Sequence, residues 1–237
     1  MSMSPEVNDI DISKLFQWRK VVEITGINDE PTTVYMRLIG DAELNMARVA
    51  GLRASAELRK KFKDVNSDEY LAYVPDVEST EKENLIELLI MLDLAHYREL
   101  VEKKVRVPFP KEPKSDSTLE AKEKYQTAVD NYPNVRYEKI KIELDKLVKK
   151  EKVALNKETK EEIIEKYKTL VINKMCESKL NSVFVNKSVY FGTYRDENYT
   201  ERFFNSYTEF ENIPTYAKDQ FIDKYLELQI TMSDLKK

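Results

Sequence analysis

The sequence predicts a mostly α protein of the α+β type, in which a β-hairpin precedes a series of helices. Three observations carry this prediction. Residues 33–39 alternate between apolar and polar side chains, which is typical of a half-buried strand. From residue 41 onward, apolar residues recur mainly at spacings of three and four, as in amphipathic helices. A proline-rich stretch at 105–117 separates two such helical regions.

The hairpin is predicted from two apolar runs on either side of a turn. Residues 21–24 form the first run, residues 26–31 contain Gly, Asn, Asp and Pro, and residues 33–39 form the second. Gly40 ends the hairpin, and Asp41 is placed to cap the helix that follows. The predicted inward set is Val34, Met36 and Leu38, and the outward set is Thr33, Tyr35 and Arg37.

The first helix is predicted over residues 42–63, and the side chains in the middle of its apolar stripe are unusually small. Ala47, Gly51 and Ser55 share this face because they are four residues apart. Small side chains allow another backbone to approach closely. We therefore expect this helix to dock tightly against the rest of the protein.

A second helix is predicted to start at a capping box formed by Thr80 and Glu83. Residues 85–95 of this helix are apolar over most of its circumference, so we expect it at the centre of the core. The following stretch, VRVPFPKEPKSDS, has three prolines within six residues, which favours an extended path.

Two long amphipathic helices are predicted beyond this stretch. Ser117 and Glu120 form another capping box, and Pro133 is expected to interrupt the helical region. The helices cover residues 134–155 and 159–180. Because their apolar seams are narrow and lie between charged faces, they predict a projecting helical hairpin.

The C-terminal part is predicted to contain a small β element and a closing helix. Residues 183–185 and 189–191 are interpreted as short strands, and an aromatic-rich stretch follows them. The closing helix runs from about residue 214 to 230. Its predicted inward side chains are Ala217, Phe221, Tyr225 and Leu228.

These elements divide the chain into five predicted segments. Residues 1–13 are polar and acidic and are expected to form a flexible arm. The others are a domain of hairpin and helical core at 14–106, a proline-rich linker at 107–117, a helical region with the long hairpin at 118–180, and an aromatic-rich segment at 181–237.

The composition argues against most enzyme chemistry. The four glycines are isolated, so phosphate-binding loops are absent from the sequence. A zinc site needs several Cys or His ligands, whereas the chain has one of each. Asp93 and His96 are expected to face the edge of the core and to satisfy one another or nearby backbone groups, and Cys176 to be buried and inert. We therefore predict no catalytic, cofactor-binding or metal-binding residues and no enzymatic activity.

Charge and hydropathy restrict the surroundings and the partners of the protein. No apolar run reaches the roughly 18 residues of a membrane span. A single cysteine and the absence of a signal-like N-terminus predict a soluble protein in a reducing cytoplasm. A net charge of -4 argues against a general nucleic-acid binder, which usually carries a basic excess.

Two segments resemble proteins of tailed bacteriophages. The first, WRKVVEI…TTVYMRLIGDAELNMARVAGLRASAELRK, resembles the N-terminal part of tail-assembly proteins, with Arg37 on the strand and a turn at Gly40 and Asp41 into the helix. The second, ERFFNSYTEFENIP…FIDKYLELQ, is similar to the closing segment of tail-assembly chaperones and contains Phe204, Ser206, Phe210 and Tyr225. Together they cover well under half of the chain.

The resemblance implies a protein that binds other proteins during tail morphogenesis in the host cytoplasm, with a tape-measure protein among its partners. The alternative is a structural subunit that stays in the virion, in the tail, the connector or the capsid. An oligomer is compatible with both. Apolar seams on helices can bind a helix of a partner. The alternative is that the two long helices use these seams to pack against each other. The expected partner-binding residues are Ile140, Leu144, Leu147, Tyr167, Leu170, Phe203, Phe204 and Tyr207.

Overall fold

The computed structural model describes residues 19–25, 31–115 and 117–234, the last six of them by their backbone only. Helices make up 69% of the chain and a small antiparallel sheet completes it, so the prediction of a mostly α protein of the α+β type is confirmed. The chain forms two compact units. The described residues up to Lys63 and those from Cys176 onward form the first unit, and the described residues of Asp64–Met175 form the second.

The described elements comprise three strands and seven helices. The strands are β1 (Arg19–Ile24), β2 (Thr32–Arg37) and β3 (Thr193–Tyr194). The helices are α1 (Asp41–Lys61), α2 (Asp68–Tyr73), α3 (Lys82–Lys104), α4 (Leu119–Leu155), α5 (Lys160–Gly192), α6 (Tyr207–Asn212) and α7 (Thr215–Asp234).

The sheet of the first unit has the order β1-β2-β3, with both pairs antiparallel. Val22 lies opposite Val34 in the register of β1 and β2. Val34 and Met36 are fully buried, as the alternation of residues 33–39 predicts, and Ile24 joins them on the same face. The hairpin pairing is therefore confirmed, whereas its predicted turn lies mainly at residues 26–30, outside the described part of the chain.

Helix α7 covers the buried face of this sheet. Its four predicted inward side chains, Ala217, Phe221, Tyr225 and Leu228, are all buried, which confirms the helical period of this segment. Polar contacts fix the helix to β1. The Thr25 N–H donates to the Gln220 Oε1 at 3.1 Å, and the Gln220 Nε2 donates back to the Thr25 carbonyl at 3.0 Å. Lys20 also pairs with Glu227.

Helix α1 docks tightly through the small residues of its stripe. Ala47 and Gly51 are buried, and a Cβ atom added at Gly51 would lie 2.7 Å from the Leu180 carbonyl oxygen of α5. The predicted close approach is thus present. The cap differs by one residue from the prediction, because Gly40 is the N-cap and Asp41 is already the first helical residue.

Helix α3 supplies the centre of the second unit's core. Leu85, Ile86, Leu89 and Ile90 of this helix are buried together with Leu155 at the end of α4 and with Ile163, Tyr167 and Val171 of α5. The central position predicted for residues 85–95 is confirmed for the buried residues between 85 and 90, whereas Met91 and Leu94 are exposed. Because Val148 and Leu155 of α4 join the same cluster as α3 and α5, three helices contribute to this core.

The predicted starts of α3 and α4 are each one residue early. Glu81, not Thr80, is the N-cap of α3. Thr118, not Ser117, caps α4, and its hydroxyl accepts from the Ala121 N–H. The interruption at Pro133 is also wrong, since α4 continues through it. This proline is exposed, so water can satisfy the carbonyl group that loses its helical donor.

Residues 183–185 and 189–191 are helical, which contradicts the predicted strands. Helix α5 extends through this stretch to Gly192, and the β element follows it as β3, which pairs with β2. Val189 faces the core of the first unit from the helix. Once a helix is nucleated, each added residue costs little, so packing of one face is sufficient to continue it through β-branched residues.

The proline-rich stretch predicted as a linker, residues 107–117, lies within the second unit. It runs without regular structure between α3 and α4. The Tyr132 hydroxyl donates to the Val107 carbonyl at 3.0 Å, and the Phe109 ring lies edge-on to Tyr132 with centroids 4.9 Å apart. The segment is therefore held against α4. The predicted arm at 1–13 lies outside the described residues.

Candidate functional site

The second unit contains an apolar groove between the end of α3 and the middle of α4, which we name the α3–α4 groove. Its volume is about 570 Å³. The apolar lining comes from the last turns of α3, the extended residue that follows them and the facing side of α4. These residues are Leu100, Val101, Val105 and Leu147.

Basic side chains surround this apolar lining. Five cations line the groove, Lys104, Arg106, Lys139, Lys146 and Lys150, together with one acid, Glu143. Glu143 pairs with Lys146 at 2.8 Å, and the Lys139 Nζ donates to the Arg106 carbonyl at 3.2 Å. The groove is therefore strongly positive on a chain whose net charge is -4.

Local sequence explains how the groove forms. Lys103 and Lys104 end α3, where cations are favoured by the partial negative charge of the last carbonyl groups. The prolines that follow keep the chain extended, so it leaves the helix axis instead of covering Leu100 and Leu147. Val101 is buried and anchors the turn.

The predicted partner-binding residues of the long helices occupy different environments. Leu147 lines the α3–α4 groove. Ile140 and Tyr167 are buried, and Leu144 and Leu170 are half-buried. Tyr167 and Leu170 belong to the core that α3 shares with α5. The structure therefore does not gather these five residues into one exposed seam.

The predicted aromatic residues of the C-terminal segment lie in the first unit. Phe204 is buried, and its ring contacts Phe203, with centroids 4.9 Å apart. Tyr207 stacks edge-on against Tyr190 at 5.7 Å. Burial raises the pKa of the Tyr207 hydroxyl, and the nearby Glu211 carboxylate raises it further. These side chains face the core around α7, so only their edges are accessible to a partner.

The predicted pairing of Asp93 with His96 is wrong. His96 is exposed, and Asp93 instead lies 3.6 Å from the Lys174 Nζ. Cys176 is buried. Among the described residues, no group of three or more His, Cys, Asp and Glu side chains is placed to hold a metal ion.

Sequence reasoning missed a charged cluster that joins β2, α1 and the segment after β3. Glu43 accepts from Arg37 at 3.1 Å, from Arg202, and from the Gly40 N–H at 3.2 Å. Arg37 also donates to the Tyr194 hydroxyl at 2.5 Å. The contacts of Glu43 with Arg202 and of Arg37 with Tyr194 each span more than 150 residues of sequence, so no local pattern could reveal the cluster as a whole. Because Glu43 also accepts from the Gly40 N–H at the N-cap of α1, the cluster fixes the start of this helix.

We expect Glu43→Gln to lower the free energy of unfolding by about 1–3 kcal/mol at neutral pH, since the hydrogen bonds from two arginines are then made to a neutral acceptor instead of a carboxylate. Partial burial raises the pKa of Glu43, but hydrogen bonds from Arg202, Gly40 and Arg37 outweigh it and hold the pKa below the ordinary value of a glutamate. The stabilisation is therefore fully present above the unfolded-state pKa of this carboxyl group and is lost as the pH falls through the lower folded-state pKa.

Urea unfolding followed across this pH range measures the effect. The difference between the wild type and the Glu43→Gln variant should shrink as the solution becomes more acidic. Glu57→Gln is the matched control, because Glu57 is exposed on the same helix. A loss of stability that is equal in both variants, or independent of pH, would contradict this role of Glu43.

Comparisons with known proteins identify no relative of this chain. No protein-family model matches the chain, and no significant match is found among curated proteins or solved structures. None of the helices in the described part of the chain is long and apolar enough to span a membrane. The fold defines a mostly α protein of the α+β type, and the α3–α4 groove is its strongest candidate site.

Proposed function

We propose that the protein acts without catalysis, as a binding protein in bacteriophage tail morphogenesis that resembles the tail-assembly chaperones. It works through protein–protein contacts, and the α3–α4 groove holds an acidic amphipathic helix of its partner. The long helical tape-measure protein is the proposed partner. The observation that supports this proposal is the ring of basic side chains around an apolar groove on an otherwise acidic chain.

The charges of the groove favour an acidic occupant. Only Lys146 among its five cations pairs with the acid that lines the groove, so most of the positive charge stays available to a partner. Complementary charge speeds encounter and disfavours partners of the wrong sign. A partner with carboxylates beside its apolar residues satisfies both features of the groove.

The shape of the groove favours a helix. Glu143, Lys146, Leu147 and Lys150 recur at spacings of three and four along α4 and so present one face. An amphipathic helix lies in such a groove with apolar anchors at similar spacings. Leu147 and Leu100 are then the apolar contacts, and the lysines flank them.

Reversing two charges of the groove tests this proposal. We expect Lys104→Glu combined with Lys150→Glu to weaken binding of an acidic helical peptide at least about tenfold, or ~1.4 kcal/mol. The probe is a fluorescent peptide of about 20 residues, roughly 30 Å long when helical, with Leu on one face and Glu on both flanks. Fluorescence anisotropy measures its affinity for the full chain.

Two controls separate the groove from general charge. Lys122→Glu combined with Lys149→Glu changes the net charge by the same amount at exposed positions outside the groove, and it should retain most of the affinity. A peptide with Lys in place of Glu should not bind. Equal weakening by both double variants, or no saturable binding of the acidic peptide at about 1 mM, would refute the groove as the site.

The assembly role has a separate test. In a bacteriophage that encodes this protein, mass spectrometry of purified particles should find the tail subunits but not this chain. The charge-reversed groove variant should yield fewer complete tails, whereas the matched control variant should not. Presence of the chain in mature particles at a fixed copy number would replace the assembly role with that of a structural virion subunit.

A further inference from the structure

The first unit has an apolar groove of its own, between α1 and the C-terminal part of α5, which we name the α1–α5 groove. Its volume is about 480 Å³. The apolar part of its lining consists of Met46, Val49 and Ala50 on α1 and of Phe191 on α5. Two cations, Arg53 and Lys187, also line it, and no acid does.

The apolar residues of this groove are exposed to an unusual degree. Met46 is 59% exposed and Val49 is 46% exposed, and Leu52 continues the exposed apolar surface along α1. Residues 46, 49, 50 and 53 share one face over about 10 Å of helix. Contiguous exposed apolar surface with a polar edge is typical of an interaction site.

Neither cation of the groove forms an ion pair with a carboxylate in the described part of the chain. Among the described residues, Lys20, Arg37 and Arg202 of this unit all form ion pairs, whereas Arg53 and Lys187 form none. The Lys187 ammonium instead lies 3.3 Å from the centroid of the Tyr207 ring. Burial lowers the pKa of Lys187, and the Glu211 carboxylate only partly offsets it. A carboxylate from a partner would therefore meet a cation that is partly desolvated.

We infer that the α1–α5 groove is a second binding site, which holds an acidic amphipathic helix of another protein chain. Apolar side chains of that helix cover Met46 and Val49, and its carboxylates pair with Arg53 and Lys187. The inference goes beyond the proposed function, because it concerns a different surface and needs no occupant in the α3–α4 groove.

The charge of α1 favours a different protein over a second copy of this chain. In a two-fold symmetric dimer the same surface meets itself, and because the groove is lined by Arg53 and Lys187 and by no acid, each copy would offer the other only like charges. Like charges across an interface cost energy, whereas an acidic helix removes this cost. A site for single-stranded nucleic acid combines a densely basic groove with several aromatic side chains on which bases stack, whereas this groove has two cations and one aromatic residue, Phe191.

Methionine NMR tests this site directly, because Met46 is a reporter within it. The protein is labelled with carbon-13 at its methionine methyl groups, and the probe is the unlabelled acidic peptide described above. We expect a saturable shift of the Met46 signal, while buried Met36 in the same unit and exposed Met91 in the second unit do not shift. The labelled protein carries Lys104→Glu and Lys150→Glu, which are expected to weaken peptide binding at the α3–α4 groove. The Met46 signal then reports on the α1–α5 groove, whether or not the proposed function of the other groove is correct.

Matched variants define the role of the cations. Arg53→Gln should weaken the affinity read from the Met46 signal about three- to fivefold, as expected for an ion pair at a partly exposed site. Arg48→Gln, at an exposed position of the same helix outside the groove, should not change it. Lys187→Gln should act as Arg53→Gln does.

Four results would overturn the inference. The first is a Met46 signal that stays unshifted at about 1 mM peptide, and the second is equal weakening by Arg48→Gln and Arg53→Gln. The third is a dimer, measured by light scattering, that Met46→Glu dissociates, since a second copy would then cover the groove. The fourth is a larger shift with a single-stranded oligonucleotide than with the peptide.

Discussion

Phe221→Ala is expected to lower the free energy of unfolding by about 3–5 kcal/mol, the usual cost of removing a large aromatic side chain from a core. The Phe221 ring is fully buried, and its centroid lies 5.2 Å from Phe204, 5.7 Å from Phe203 and 6.3 Å from Phe210. The substitution leaves a cavity among rings that cannot all move inward. Because domains are stable by only about 5–15 kcal/mol, this loss is a large fraction of the total.

Urea unfolding followed by circular dichroism measures this loss. Tyr216→Ala is the control, because Tyr216 lies on the same helix but is 56% exposed. We expect it to cost less than about 1 kcal/mol. Similar losses for the two variants would mean that α7 does not bury Phe221 as described.

Gly192→Ala is expected to cost about 3 kcal/mol, although it adds only one methyl group. A Cβ atom at this position would lie 2.5 Å from a ring carbon of Tyr225 and 2.7 Å from the Arg37 carbonyl oxygen. Neither neighbour can yield easily. The Tyr225 ring is buried, and its hydroxyl accepts from the Ile39 N–H at 3.4 Å, while the Arg37 carbonyl belongs to the backbone at the end of β2.

Gly40→Ala is the matched control for this substitution, since a Cβ atom at Gly40 would have no other heavy atom within 4 Å. Its backbone, with φ at -77°, suits any residue. Because Gly40 is the N-cap of α1, where Ala is less favoured than Gly, we expect the thermal midpoint of Gly40→Ala to fall slightly, whereas that of Gly192→Ala should fall by several degrees. Unchanged stability of Gly192→Ala would contradict the close packing of α5 against α7 and β2.

Much of the fold could be predicted from the sequence where a single face decides burial. The alternation around Val34 and Met36 and the helical period of Phe221 and Tyr225 are both confirmed, because each pattern records one buried face. Helix starts were displaced by one residue because adjacent side chains, such as Ser117 and Thr118, are both good caps. Their choice depends on the neighbouring backbone, which the sequence pattern does not contain.

The predicted strands at 183–191 show the limit of local preference. Valine and aromatic residues there favour a strand by propensity, but Val189 reaches the core from a helix that already runs for many residues. Tertiary packing decided between two local states of similar energy. The same holds for Pro133, whose exposure removes the usual penalty of a buried, unpaired carbonyl.

The candidate site was harder to predict than the fold. Of the eight residues expected to bind a partner, Leu147 lines the α3–α4 groove. The groove forms where residues 100–106 meet residues 139–150, and no sequence pattern links these two segments. In a chain with 39 basic residues, Lys104 and Lys150 look like ordinary solvated charges. Only the fold brings them to one apolar surface.

The first unit is built from two separate parts of the chain, and this affects how it can fold during synthesis. Its two parts are separated by the 112 residues of Asp64–Met175. At about 5–20 residues per second, a ribosome needs roughly 6–22 s to translate that insertion. During this interval β1, β2 and α1 have emerged, but the side chains of α5 and α7 that bury the apolar face of the hairpin have not yet been made. The second unit, which is continuous in sequence, can fold first.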